Sequence, residues 1–230
     1  MEHVISHGTT FATLKVHCGA GECVRAQPDS MLCMTPGFEV VAEMGTQMTG
    51  NAKVGKAVRS FFAGESFFTA VYTAKRDGQW IELAPRDIGE IRQLSPTDEH
   101  RWLLASGAFL ACLGNVRFEL KYAGVKGLFA MRGLFFMRTV GSGTIFLASH
   151  GAVVEQDLPE GERFVIDNRN VLAFTDGMPF ESVTVTKSVR HAWFSGEGFV
   201  VRFTGPGKVL YQTRSRPSAG FLRNMIGAMT

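Results

Sequence analysis

The chain has 230 residues, of which 45% are apolar and 20% charged, and its net charge is +3. This is ordinary globular composition, so a disordered chain is excluded, and the charge is too mild and too spread for the dense basic stripe of a strong nucleic-acid binder. A chain of this length buries a substantial core without staples. The four cysteines, Cys18, Cys23, Cys33 and Cys112, form no Cys-x-x-Cys pair and read as small buried apolar residues on strands. Met1–Gly8 has neither a basic nor an apolar leader segment, and no apolar run reaches the roughly 18 residues of a membrane span. A cytoplasmic protein without a transmembrane segment is the expectation.

Along the chain, period-two alternation of β-branched and aromatic residues dominates, punctuated by Gly, Pro, Asp and Asn. Gly21-Glu22-Cys23-Val24 leads through Pro28-Asp29-Ser30 to Met31-Leu32-Cys33-Met34. In Asn51–Phe62, apolar Val54, Ala57, Val58, Phe61 and Phe62 have helical spacing, so one short amphipathic helix is expected at 51–62. Lys53, Lys56 and Arg59 lie off its apolar face. Gly64–Tyr72 then reads as a strand, turning at Lys75-Arg76-Asp77-Gly78 into Gln79–Leu83.

The same two patterns return. Glu99-His100-Arg101-Trp102 leads to Phe109–Cys112, and Gly161-Glu162-Arg163-Phe164 leads to Val171–Phe174, both at the spacing of the first. Arg132–Phe146 and Gly196–Leu210 align as strand, Gly-x-Gly turn, strand: Gly141 and Gly143 fall on Gly205 and Gly207, and Arg138 falls on Arg202. Two hairpin types, each used about three times, predict one mainly β domain over 1–230. Its internal copies run at roughly 11–84, 85–147 and 148–216, with a tail at 217–230.

Motifs for chemistry fail on named residues. Gly50–Lys56 has the glycine and lysine spacing of a phosphate-binding loop, but Ala57 stands where Ser or Thr would hold magnesium. A cupin-type metal site wants His-x-His, which none of His3, His7, His17, His100, His150 and His191 supplies; His7 and His17, near Cys18, form the one loose cluster. No Gly-x-Ser-x-Gly elbow is present. The recurring Gly-Glu pairs (Gly21-Glu22, Gly64-Glu65, Gly161-Glu162, Gly196-Glu197) read as turn chemistry, because repeated units give carboxylates similar environments where acid–base work needs different ones. No catalytic residue, metal ligand or cofactor is assigned. Lys53, Lys56 and Arg59 are the candidate interaction surface.

Gly64-Glu65-Ser66-Phe67-Phe68, Gly107-Ala108-Phe109-Leu110-Ala111 and Gly196–Gly207, closed by Tyr211-Gln212-Thr213-Arg214, occur in the order seen in a known family. From about Phe11 to Arg216 the chain resembles the altered-inheritance-of-mitochondria family, member twenty-four, and its bacterial relatives. The resemblance implies an internally duplicated antiparallel β-sandwich or double-stranded β-helix-like domain, of the kind grouped with the tryptophan-RNA-binding attenuation protein. It implies no known enzymatic activity; mitochondrial members are linked to inner-membrane organisation. The expected function is a non-enzymatic binding or scaffold protein that self-associates or meets a protein or membrane-surface partner. RNA or nucleotide binding, by analogy of fold, and a cupin-type metal-dependent enzyme are the alternatives.

Overall fold

The computed structural model describes residues 1–8, 10–44, 46–47, 68–105, 107–122, 135–184 and 199–215. Within them the regular structure is nearly all strand. After β1 (Glu2–Ser6) come β2 (Thr13–Cys18), β3 (Cys23–Ala26), β4 (Met31–Met34), β5 (Phe38–Met44), β6 (Thr46–Gln47), β7 (Phe68–Ala74) and β8 (Gln79–Leu83). Then follow β9 (Ile91–Leu94), β10 (Trp102–Ala105), β11 (Phe109–Gly114), β12 (Arg117–Tyr122), β13 (Phe135–Val140) and β14 (Gly143–Ala148). The last six are β15 (Val153–Leu158), β16 (Arg163–Asp167), β17 (Val171–Thr175), β18 (Phe180–Thr184), β19 (Phe199–Thr204) and β20 (Gly207–Gln212), with a 3-10 turn at Asn168–Asn170. The expected helix at 51–62 and the tail at 217–230 lie outside the described residues.

Pairing follows one rule. In the first stretch β8 lies between β2 and β4, in the second β14 lies between β9 and β11, and in the third β20 lies between β15 and β17. The other half of each stretch is β3-β7-β5, β10-β13-β12 and β16-β19-β18. The register also recurs: β4, β11 and β17 each carry one irregularity, between Met31 and Cys33, Phe109 and Ala111, and Val171 and Ala173. Two further ladders join the stretches. Ala26 and Arg25 of β3 pair with Ala111 and Cys112 of β11. Leu104, Leu103 and Trp102 of β10 pair with Ala173, Phe174 and Thr175 of β17.

The result is four sheets, antiparallel except where short β6 lies parallel to β12, with three apolar layers between them. Leu14, Val16, Ile81 and Leu83 of the first sheet meet Val24, Tyr72, Leu110 and Phe146 of the second. Phe109, Cys112, Ile145 and Leu147, on the reverse side of that second sheet, meet Leu104, Met137, Leu172 and Leu210 of the third. Leu103, Phe136, Phe174 and Val209 of the third then meet Val201 and Phe203 of the fourth. A strand covered on both faces has no polar position to spare, which is why β11 reads Phe-Leu-Ala-Cys-Leu without alternation. Edge-to-face phenylalanines fill the last layer, with Phe136 and Phe174 at 4.9 Å and Phe174 and Phe180 at 5.1 Å between centroids.

The expected hairpins are corrected. β19 and β20, on either side of Gly205–Gly207, do not pair: β19 lies with β16 and β18, and β20 with β15 and β17. The same holds for β13 and β14 around Gly141–Gly143, for β7 and β8 around Lys75–Gly78, and for β16 and β17. Each tight turn carries the chain across the sandwich to the facing sheet. A glycine-rich turn serves either purpose. At these turns crossing places the next strand's apolar side against the facing sheet, whereas β1 and β2, β12 and β13, and β18 and β19 pair within one sheet.

Candidate interaction surface

Lys53, Lys56 and Arg59, with the Gly50–Lys56 stretch, lie outside the described residues. The structure does not bring His7 and His17 together. His17 neighbours Glu2 at one end of the β1–β2 ladder, whereas His7 follows Ser6 at the other, roughly 17 Å away at ~3.4 Å per residue. His3 instead shares a hydrogen bond of 2.9 Å between its Nε2 and Gln93 Oε1, and packs edge-on against Phe146. Among the described residues no three His, Cys, Asp or Glu side chains gather as metal ligands. Burial pushes the Cys18 and Cys112 thiols up to about 11, so both are held protonated.

The Gly-Glu pairs that can be placed sit at turns. Gly21 and Gly161 both have positive φ, +83° and +76°. Glu22 Oε2 accepts the Gly19 N–H at 2.8 Å, closing its own turn. Arg138 and Arg202, aligned in the sequence, each reach across the sheet to a carboxylate. Arg138 donates to Glu119 Oε2 from Nε at 3.2 Å and from Nη2 at 2.5 Å, and Arg202 donates to Glu181 at 2.8 Å. These are cross-strand ion pairs between directly opposed residues.

What the sequence reading missed lies at the two ends of the stack. β4 occupies in the first sheet the place of β11 and β17 in theirs. Phe109, Leu110, Ala111 and Cys112 are all buried, as are Val171, Leu172, Ala173 and Phe174. Their counterparts are not: Met31 is 40% exposed, Leu32 56%, and Cys33 is exposed. At the other end, β16 matches β3 and β10. Leu103 of β10 is 1% exposed, and its counterpart Val165 is 51% exposed. The middle of each end strand is apolar, yet among the described residues no strand lies on its outer edge. The sequence signal was available. In a head-to-tail series the first member lacks a predecessor and the last lacks a successor, so one edge of each kind is left over.

The flanks are polar. Glu82 accepts from Thr13 Oγ1 at 2.9 Å and lies 3.8 Å from Cys33 Sγ. Arg86 pairs with Asp29 at 2.7 Å. Beside β16, Asp167 holds the Arg169 guanidinium and accepts the Arg169 N–H.

The family model for mitochondrial biogenesis AIM24 matches residues 4–214. An uncharacterized protein of Streptococcus pyogenes serotype M6 is 29% identical over 216 residues, which cover 93% of this chain and 86% of that protein. A Streptococcus pyogenes protein solved by X-ray crystallography superimposes with a TM-score of 0.73 at 25% identity, covering 99% of this chain and 97% of its own. With a family match that spans nearly every described strand, and a solved structure of the same fold matched nearly end to end, this chain belongs to the mitochondrial biogenesis AIM24 family.

Proposed function

We propose that this protein is a non-enzymatic scaffold that works through its surface and associates with itself. Its three stretches of common pairing are read as diverged copies of one unit. The observation that carries the reading is the exposure of Met31 and Leu32, whose counterparts on β11 and β17 are all buried, and of Val165, whose counterpart Leu103 on β10 is buried. Exposed apolar residues on an unpaired edge invite association, and soluble monomers normally blunt such edges with charge or proline. The interior supports the same reading. Its three layers are filled by Phe, Leu, Ile and Val side chains, and the buried polar groups serve the frame. Ser149, for example, donates to the backbone carbonyl oxygen of Gly151 at 2.6 Å and accepts the Glu90 N–H.

The test is the mass in solution. Sedimentation equilibrium over a wide concentration range is expected to show species well above the 25.2 kDa of one chain. A single species of one chain's mass up to millimolar concentration would count against the proposal.

A further inference from the structure

We infer that the β4 edge of one chain pairs with the β16 edge of a second copy, repeating the ladder that already joins the stretches within one chain. The inference rests on the self-associating reading above and gives it a register. Within the chain the junction is made twice, always between the strand type of β3, β10 and β16 and the strand type of β4, β11 and β17. In the first junction Ala26 lies opposite Ala111 and Arg25 opposite Cys112. In the second, Leu104 lies opposite Ala173 and Leu103 opposite Phe174. The second junction also gives Trp102 opposite Thr175.

The intrachain ladders fix which residues correspond. Arg25, Leu103 and Val165 sit opposite Val71, Arg138 and Arg202 of the neighbouring strands. Cys33, Ala111 and Ala173 sit opposite Glu82, Phe146 and Leu210. Carried to the open ends, the same register places Cys33 opposite Ile166 of the second copy. It also places Met34 opposite Val165 and Thr35 opposite Phe164.

The edges fit this occupant. Both have an apolar middle, Leu32-Cys33-Met34 and Phe164-Val165-Ile166; the internal junctions bury the counterparts of Leu32, Cys33 and Met34 twice, and the second junction buries Leu103, the counterpart of exposed Val165. Joining them merges the four-stranded sheet β1-β2-β8-β4 with the three-stranded sheet β16-β19-β18, giving a seven-stranded sheet of the size already present inside the chain. At the first junction Gln27 N–H donates to Leu110 O at 2.7 Å; the corresponding new bond runs from Asp167 N–H to Leu32 O. The ladder is one bond shorter at its far end, because Pro36 stands where Asp176 donates its N–H to Arg101 O. The contact is heterologous, one end meeting the other, so assembly proceeds to a closed ring or an open run of chains.

Cys33 makes the register testable. Directly opposed residues of an antiparallel pair have Cα atoms about 4.5–5.5 Å apart, within disulfide range. Ile166→Cys in the full chain under mild oxidation is expected to link most of the protein into species of two chains or more. Peptide mass mapping should then find Cys33 of one chain bridged to the thiol introduced at position 166 of another. Arg163→Cys, an exposed control three residues out of register, should give at least tenfold less. Val165→Lys tests the same edge without touching the core, and is expected to raise the dissociation constant at least tenfold. Three results would overturn the inference: no bridge from Cys33 to the introduced thiol, a bridge formed within a single chain, or a Cys33–Cys33 bridge between two β4 edges. If mass above one chain persists while Cys33 stays unlinked to position 166, this register falls and the self-associating reading stands. A single chain at every concentration removes both.

Discussion

Gly141→Ala tests the packing of the crossing turns, and Gly161→Ala supplies its control. Both glycines have positive φ, +86° and +76°. A Cβ at either position therefore costs about 1–2 kcal/mol from backbone strain alone. The sites differ in space. Nothing lies within 4 Å of a Cβ on Gly161, whereas one on Gly141 would overlap the Asn115 carbonyl oxygen, closer than the 3.0 Å that real Cβ atoms respect. That oxygen belongs to backbone, so relief requires the turn to move, and overpacking of this kind adds about 1–3 kcal/mol. Gly141→Ala is therefore expected to fall below Gly161→Ala by about 1–3 kcal/mol. For a chain of this size that is roughly 2–4 °C of melting temperature per kcal/mol. Urea unfolding followed by circular dichroism measures both. Equal losses in the two variants, or a larger loss at Gly161, would refute the claim that the turn at Gly141 is held against the Asn115 backbone.

Two further outcomes follow from the site geometry. The Cys18 and Cys112 thiols, raised by burial to about 11, carry roughly a thousandth of their sulfur as thiolate at pH 8. Pulse alkylation read by peptide mass spectrometry should therefore label exposed Cys33 far ahead of both; equal rates at Cys112 and Cys33 would contradict the buried position of β11. Glu119→Gln removes a two-pronged, partly shielded partner from Arg138 and is expected to cost about 1 kcal/mol, less at high salt. Glu181→Gln, whose side chain is 61% exposed, should cost no more than about 0.5 kcal/mol.

Much of the strand content was legible in the residues. Phe199–Phe203, Thr144–Leu147, Phe164–Ile166 and Lys208–Gln212 show the alternation and β-branched content that strands demand, and all are strands. Their partners were not legible. The glycines at 141, 143, 205 and 207 announce tight turns, and a tight turn between two strands suggests a hairpin. Whether the second strand returns beside the first or crosses to the facing sheet depends on where the next apolar face lies, and that is set by strands far away in sequence. Thus β20 finds β15, whose Glu155 meets Leu210, across more than fifty residues.

The candidate surface was hidden for a related reason. Met31-Leu32-Cys33-Met34 has the apolar character of Phe109–Cys112 and Val171–Phe174, so composition marks all three as core. Only the order of the sheets shows that the first of them has no neighbour on its outer edge among the described residues. Exposure there is a property of position in the series, not of the residues. The basic residues Lys53, Lys56 and Arg59 lie outside the described residues.

Hydrogen exchange at the two edges tests the assembly most directly. Backbone amides in 31–35 and 163–167 of the wild-type chain would be followed by mass spectrometry in dilute and concentrated protein. Pairing of β4 with β16 predicts slower exchange at both segments, together, as concentration rises, with the amides of β11 and β17 protected throughout. Oligomers that form without added protection at 31–35 and 163–167 would contradict it.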